Sequence, residues 1–281
     1  MTGTAPQTGY APVNGLETYY EIHGAGEPLL LLHGAYGTID LWGSVLSSLA
    51  EHRRVIAVEQ QAHGHTADVD RPLNYEQMTE DTAALLRDLG IEKADIFGYR
   101  MGGNIGLQLA MRHPNLVRKL VAVSANYRSD GYYPELLELI QTITPEVFAG
   151  SPLEASYLRN APNPDSWPVL IDKLKQLDAQ EFAWPEGEIQ AIAAPTLLVM
   201  SDSDAMRPEH MVDLFRLLGG GVPGDLTGLP KSQLAVIPGA THVSLVAERA
   251  DLLLAVSIPF LDAPMPQDIL VPTPARAEGI L

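Results

Sequence analysis

The stretch that decides the fold is Phe97-Gly98-Tyr99-Arg100-Met101-Gly102-Gly103, FGYRMGG. A short apolar run over 94–99 leads into it, and a segment of helical spacing over 101–113 leads out. It therefore reads as a strand, a glycine-rich turn and a helix. A turn of the form G-x-S-x-G is expected at such a junction, with a serine in the middle. Here the middle residue is Arg100, which stays charged at any physiological pH.

Working outward, 17–23 (ETYYEIH) and 28–33 (PLLLLH) read as strands, and further short apolar runs lie at 54–59, 119–125, 195–200 and 233–237. Helical patterns fall between them at 39–51, 75–89 and 245–261. This alternation predicts an α/β fold, a mostly parallel, doubly wound sheet, because parallel strands need crossovers and become continuous apolar runs when covered on both faces. Chemistry in such sheets collects at the carboxyl ends of the strands.

The stretch 127–191 breaks the alternation: it has prolines, amphipathic segments and the aromatics Tyr132, Tyr133, Phe148, Tyr157, Trp167, Phe182 and Trp184, but no clear strand. It reads as a helical cap over the strand ends, its aromatics packing the insertion and together roofing an apolar pocket. The expected division is a core over 1–126, the cap, a second core part over 192–262, and a tail over 263–281. The tail carries four prolines and no period. The glycine-rich segment 219–231 reads as a long loop.

At 281 residues with 46% hydrophobic composition, the chain can bury a full core and is long enough for an enzyme. The 18 Lys+Arg against 35 Asp+Glu, net −17, argue against a nucleic-acid or anionic-membrane surface. Absence of cysteine excludes disulfides and thiolate metal sites. No charged-then-apolar leader and no run of about 18 apolar residues is present, so the expectation is a soluble, cytoplasmic protein.

Four stations stand at strand ends: His33-Gly34-Ala35-Tyr36-Gly37, the Gly98–Gly103 turn, Ser201-Asp202-Ser203-Asp204, and Pro238-Gly239-Ala240-Thr241-His242. Their order, elbow then acid then histidine, is that of nucleophile-elbow hydrolases. Over about residues 10–262 the sequence resembles the α/β-hydrolase superfamily, in its capped esterase, lactonase and haloperoxidase-like branch. HGAYG resembles the oxyanion loop, EQQAHGHT the segment usually D-x-x-G-x-G-x-S, SDSD the G-x-x-D acid turn, and PGATH the P-G-x-G-H histidine turn. The resemblance implies His242 as catalytic histidine and Asp204 as its orienting acid, with Asp202 the alternative. It implies the amides of Ala35 and Met101 as oxyanion donors, Gly34 and Tyr36 beside them, and no cofactor or metal. Position 100 matches the nucleophile, and there the pattern fails. Glu59, Gln60, Gln61 and Ala62 are further departures.

Each neighbouring candidate has a plainer reading. His63 and His65, with Glu59 near in sequence, lack a third ligand at metal spacing and read as loop structure. Ser124 ends a strand but has no elbow, so it does not replace the nucleophile. His210 and Glu209 are expected to face solvent at a helix start.

A guanidinium has neither a nucleophilic lone pair nor a dispensable proton, so ordinary acyl-enzyme turnover should be lost. The flanking glycines still allow the strained turn, from which Arg100 needs a counter-charge: Glu59, Asp204 or a bound anion. Three readings follow. The chain is an altered serine hydrolase of the ester or lactone lineage working through His242 and Asp204. Or it is a repurposed enzyme in which Arg100 leaves His242 a neutral base and stabilises an enolate or carboxylate. Or Arg100 plugs the pocket of a non-catalytic binding module. The expected partner is a small apolar carbonyl or ester-type molecule, with neither nucleic acid nor membrane; a homodimer is compatible with the sequence.

Overall fold

Leu29, Leu30, Leu31 and Leu32 are all fully buried, and they alternate between two cores: Leu30 and Leu32 face one, Leu29 and Leu31 the other. Val55 to Val58 and Leu197 to Met200 alternate in the same way. That is the period-two consequence of a strand covered on both faces. The structure, a computed structural model, describes residues 5–265.

Its strands are β1 (Gln7–Val13), β2 (Leu16–His23), β3 (Glu27–Leu32), β4 (Arg53–Val58), β5 (Ala94–Tyr99), β6 (Val117–Val123), β7 (Thr196–Ser203) and β8 (Gln233–Thr241). They form one sheet in the order β1-β2-β4-β3-β5-β6-β7-β8. β1 and β2 are antiparallel, and the rest from β4 to β8 run parallel. The sequence pattern missed β1, which lies at the sheet edge with mostly exposed residues and turns back at Asn14-Gly15, where both φ angles are positive.

The helices are α1 (Ser44–Ala50), α2 (Tyr75–Asp88), α3 (Met101–Arg112), α4 (Pro134–Gln141), α5 (Pro152–Asn160), α6 (Trp167–Asp178), α7 (Glu186–Gln190), α8 (Pro208–Leu217), α9 (Gly224–Thr227), α10 (His242–Ala247) and α11 (Ala250–Asp262). Residues of α1, α10 and α11 build one core, and those of α2, α3 and α8 the other. Two long helical patterns are split. The one over 39–51 breaks at Gly43, φ +48, into a 3-10 turn, Ile39–Trp42, and α1. The one over 245–261 starts earlier, at His242, and breaks between α10 and α11. The expected loop over 219–231 contains the single turn of α9.

Between β6 and β7 the chain forms helices and 3-10 turns, with isolated bridges Arg128–Ala183 and Tyr132–Met206 stitching it to itself and to the core. α7, within the stretch read as cap, packs against α3 and α8 instead. Most of the expected tail, 266–281, lies outside the described residues.

Candidate active site

Arg100 sits between the last residue of β5 and the first of α3, at φ 49° and ψ −113°. Such a backbone costs a residue with a Cβ about 1–3 kcal/mol, so the surroundings must enforce it. They do. The Arg100 amide donates to the Val123 carbonyl at 2.8 Å, and its carbonyl accepts from Asn104 at 2.9 Å, opening α3. Gly98 and Gly102 make the approach possible: a Cβ on Gly98 would collide with the Gly102 carbonyl, and one on Gly102 with that of Leu32.

The Arg100 guanidinium reaches into the cap and donates through Nη2 to Asp178 Oδ2, 2.9 Å away, at the end of α6. Its Cζ lies 5.8 Å from the centre of the Tyr132 ring. Burial is the largest influence and opposes its charge, but Asp178 together with Tyr132, Tyr75 and Tyr36 outweighs it, so Arg100 holds its proton even more firmly than usual. This corrects the expected counter-charge. Glu59 is occupied by the Ile39 and His65 amides and the His65 ring, and Asp204 is saturated from elsewhere. Sequence offered no way to find Asp178, because only the folded cap brings α6 above β5.

Asp204, its side chain fully buried, is the carboxylate that meets His242: Oδ1 accepts from His242 Nδ1 at 2.8 Å and from the Met206 amide at 3.2 Å. Its Oδ2 accepts from Ser124 Oγ at 2.6 Å and from the Ser201 amide and hydroxyl at 3.0 Å. Burial pushes its pKa up, yet the donors led by His242 more than reverse this and hold it down at about 2. Asp202 instead accepts from the Gly239 and Ala240 amides, shaping the turn that delivers His242. With a carboxylate at Nδ1, His242 carries its hydrogen there and leaves the Nε2 lone pair free. That atom is buried and has no partner among the described residues. Tyr99 steadies the residue by donating to its carbonyl at 2.9 Å.

Ser124 is fully buried at φ +50°, with its hydroxyl given to Asp204; it supports the acid and faces no base. The expectation for His210 fails. It is buried, stacked on Tyr127 at 4.6 Å, and its Nε2 accepts from the Tyr127 amide at 3.3 Å. The cap folds back over α8 here through Arg207, whose amide donates to Gly131 at 2.8 Å, and so covers a residue that the sequence pattern left outside.

The loop after β3 is braced from below. His33 donates through Nδ1 to the Gly34 carbonyl at 2.8 Å and accepts at Nε2 from the Gln60 amide at 3.1 Å. Gly37 donates back to Gly34 at 3.1 Å. The amides of Ala35 and Met101 have no hydrogen-bond partner among the described residues. His63 and His65 diverge: His63 is buried and bonds Gln61 O at 2.9 Å, while His65 bonds Glu59.

Gly34, Ala35, Tyr36, Arg100 and His242 line one cavity of about 550 Å³. Its other walls are mainly apolar: Leu41 and Trp42 from the core, Leu136, Ile140, Ile143, Phe148 and Leu153 from the cap, and Val243 and Val246 from α10. Tyr36, at φ +64°, packs against Phe148 at 4.8 Å, and Thr38 bonds Ser156 of α5 at 2.6 Å, so cap and loop are joined around the cavity. The Tyr36 hydroxyl is buried without a partner among the described residues, and that of Tyr132, beside the Arg100 guanidinium, has no acceptor there for its hydrogen.

The chain is similar to known proteins. A family model described as alpha/beta hydrolase fold matches residues 27–150. A relative from Azorhizobium caulinodans named "Putative carbamate hydrolase RutD" is 30% identical over 76% of this chain and 86% of its own. Another of that name, from Stutzerimonas stutzeri, is 25% identical over 82% and 91%. The crystal structure of the enol-lactonase from Burkholderia xenovorans LB400 superposes with a TM-score of 0.69 at 22% identity, covering 90% of this chain and 100% of that one. A meta-cleavage product hydrolase from Pseudomonas fluorescens IP01 gives 0.72 at 18% identity, with 91% and 97% covered, which speaks for the fold alone. By the family model and the Azorhizobium relative, the chain belongs to the α/β-hydrolase fold family.

Proposed function

We propose that this chain is an enzyme of the ester and lactone hydrolase lineage in which Arg100 stands at the nucleophile's position, so that no acyl-enzyme forms and His242, oriented by Asp204, acts directly on the ligand. The observation that carries this reading is that Arg100 pairs with Asp178 in the cap, leaving the Asp204–His242 bond intact at 2.8 Å. Had the guanidinium taken Asp204, the histidine would have lost its orienting partner.

In this reading the ligand is a small apolar ester or lactone in the cavity. A water held by Nε2 gives up its proton as its oxygen attacks the carbonyl carbon, and the resulting imidazolium is stabilised by Asp204. The oxyanion accepts from the Ala35 and Met101 amides, which have no partner among the described residues. A site of this kind keeps roughly 10³–10⁴ over water once the nucleophile is gone. The cavity of about 550 Å³ at Arg100 and His242 counts against a plugged, non-catalytic module. Residence in the cytoplasm belongs to the same proposal; no helix among the described residues is long and apolar enough to cross a membrane.

A fluorophosphonate probe should leave the protein unlabelled, while Arg100→Ser gains labelling and hydrolyses small aryl esters about 10²-fold faster, a small part of the roughly 10⁶-fold that separates intact triads from knockouts. His242→Ala should abolish the slow hydrolysis of the unaltered protein. Strong labelling of the unaltered protein would sink the reading.

A further inference from the structure

We propose that Arg100, Tyr36 and Tyr132 form an oxygen subsite for the enolic or phenolic oxygen of an apolar ligand, and that His242 and this subsite together enolise a ligand carrying a C–H between two carbonyl groups. The inference goes beyond the hydrolytic reading and shares His242 with it.

The first support is an imbalance of donors. Tyr36 and Tyr132 are 8% and 4% exposed, both line the cavity, and neither hydroxyl has an acceptor for its hydrogen among the described residues; the Arg100 guanidinium beside Tyr132 can only donate to it. Buried hydroxyls are almost always satisfied, so two O–H groups without acceptors, on residues lining one cavity, point to a ligand atom that accepts from them. Arg100 adds to the surplus: of its five N–H groups, one bonds Asp178 and one faces the Tyr132 oxygen, which leaves others over. Both tyrosines feel the charges of Arg100 and Asp178, which places the four groups in one electrostatic neighbourhood.

The second support is charge. Asp178 already balances Arg100, so the subsite is rich in donors yet close to neutral. A carboxylate ligand would bring a second anion against Asp178, and an ammonium would meet the guanidinium. The match is an oxygen that enters neutral and gains negative charge in place, while the apolar walls take the remainder of the molecule.

The chemistry balances without a co-reactant. His242 Nε2 takes the proton from the carbon between the carbonyls, the C–H electron pair moves onto a carbonyl oxygen, and that oxygen accepts hydrogen bonds from Arg100 and the tyrosine hydroxyls. Asp204 stabilises the imidazolium. Return of the proton to carbon or oxygen completes a tautomerisation or a hydrogen exchange, and the His242 lone pair is restored.

The test is a titration of 1-phenylbutane-1,3-dione at pH 7, following the ultraviolet band of its enolate. The unaltered protein should raise the enolate fraction about tenfold or more over buffer, one unit in the probe's pKa. Tyr36→Phe/Tyr132→Phe, checked for folding by thermal denaturation, should lose that band. His242→Gln should slow deuterium exchange at the central carbon more than about tenfold. An unchanged band in the double variant, absence of a band with the unaltered protein, or tighter binding of 4-phenylbutanoate than of the diketone would each overturn the subsite. Aryl-ester hydrolysis is measured on the same unaltered sample: hydrolysis without the band removes this proposal alone, and the band without hydrolysis removes the hydrolytic reading alone.

Discussion

Strand β5 has a buried ion pair at each end, and the two are built differently. At its start Asp95, fully buried, accepts from Arg118 Nε and Nη2 at 2.8 Å each and from Arg53 Nη1 at 3.2 Å, with Glu27 and Asp262 completing the arginines' partners. Just past its end, Arg100 and Asp178 share one bond beside a cavity lined by two tyrosines whose hydroxyl hydrogens have no acceptor among the described residues. The first group uses its donors within the fold and closes the amino ends of the strands. The second leaves donors over at the carboxyl ends, where this fold keeps its chemistry. Saturation marks the structural pair, and surplus marks the site.

The comparison breaks most visibly at the saturated end. Asp95→Ala leaves Arg53 and Arg118 sharing positive charge in a buried place and should cost about 3–5 kcal/mol in urea unfolding. The cavity is distant along the strand, so ligand affinity should not move. A cost below about 1 kcal/mol would mean that the network is exposed in solution and the contrast empty.

At the site end a smaller loss is expected. Asp178→Leu strands the Arg100 charge beside the cavity, where water can reach part of it, and should cost about 1–3 kcal/mol. Removing both charges, Arg100→Met/Asp178→Leu, should restore stability to within about 1 kcal/mol of the unaltered protein, since buried pairs are often replaceable by apolar side chains. A double variant as unstable as the single one would show that the pair holds the cap in place.

Acid should separate the two ends further. The Asp95 group contains no histidine, whereas the loops around the site rest on His63, lowered by burial to about 3, and His210, lowered by burial to about 4. Unfolded, each titrates near 6.5, so below that pH the unfolded chain binds protons that the folded one refuses. Stability therefore falls as pH drops from 6.5 toward 3–4, by about 1–2 kcal/mol per histidine at pH 5. His210→Gln, whose side-chain carbonyl can still accept from the Tyr127 amide, should flatten this slope; an unchanged slope would remove His210 from the account.

How much of this was legible in the sequence differs between the same two ends. PLLLLH and the run before FGYRMGG announced doubly covered strands, and the four motifs at strand ends placed Arg100, Asp204 and His242 around one site, because strand-end positions are local facts. The distinction between Asp202 and Asp204 needed coordinates, since both carboxylates serve the histidine turn, one through its backbone and one through its ring. Asp178, Tyr132 and the burial of His210 were not legible: each depends on how the cap folds back, a contact separated by tens of residues with no pattern of its own. β1 was lost because an exposed edge strand lacks the apolar run by which the others were read.

The smallest effect is the sharpest test of surplus. In the absence of ligand, Tyr36→Phe and Tyr132→Phe each delete a buried hydroxyl whose hydrogen has no acceptor among the described residues. The phenyl rings keep their packing, Tyr36 against Phe148 and Trp167. Removing an unsatisfied group should leave stability unchanged or raise it by up to about 1 kcal/mol. Ser124→Ala is the control, because that hydroxyl is bonded at 2.6 Å to Asp204 and its loss should lower stability by about 1–2 kcal/mol. Thermal midpoints of the three variants, taken side by side, read the difference directly. If the tyrosine variants fall as far as Ser124→Ala, the hydroxyls are satisfied within the fold, and the carboxyl end of β5 is as saturated as its amino end.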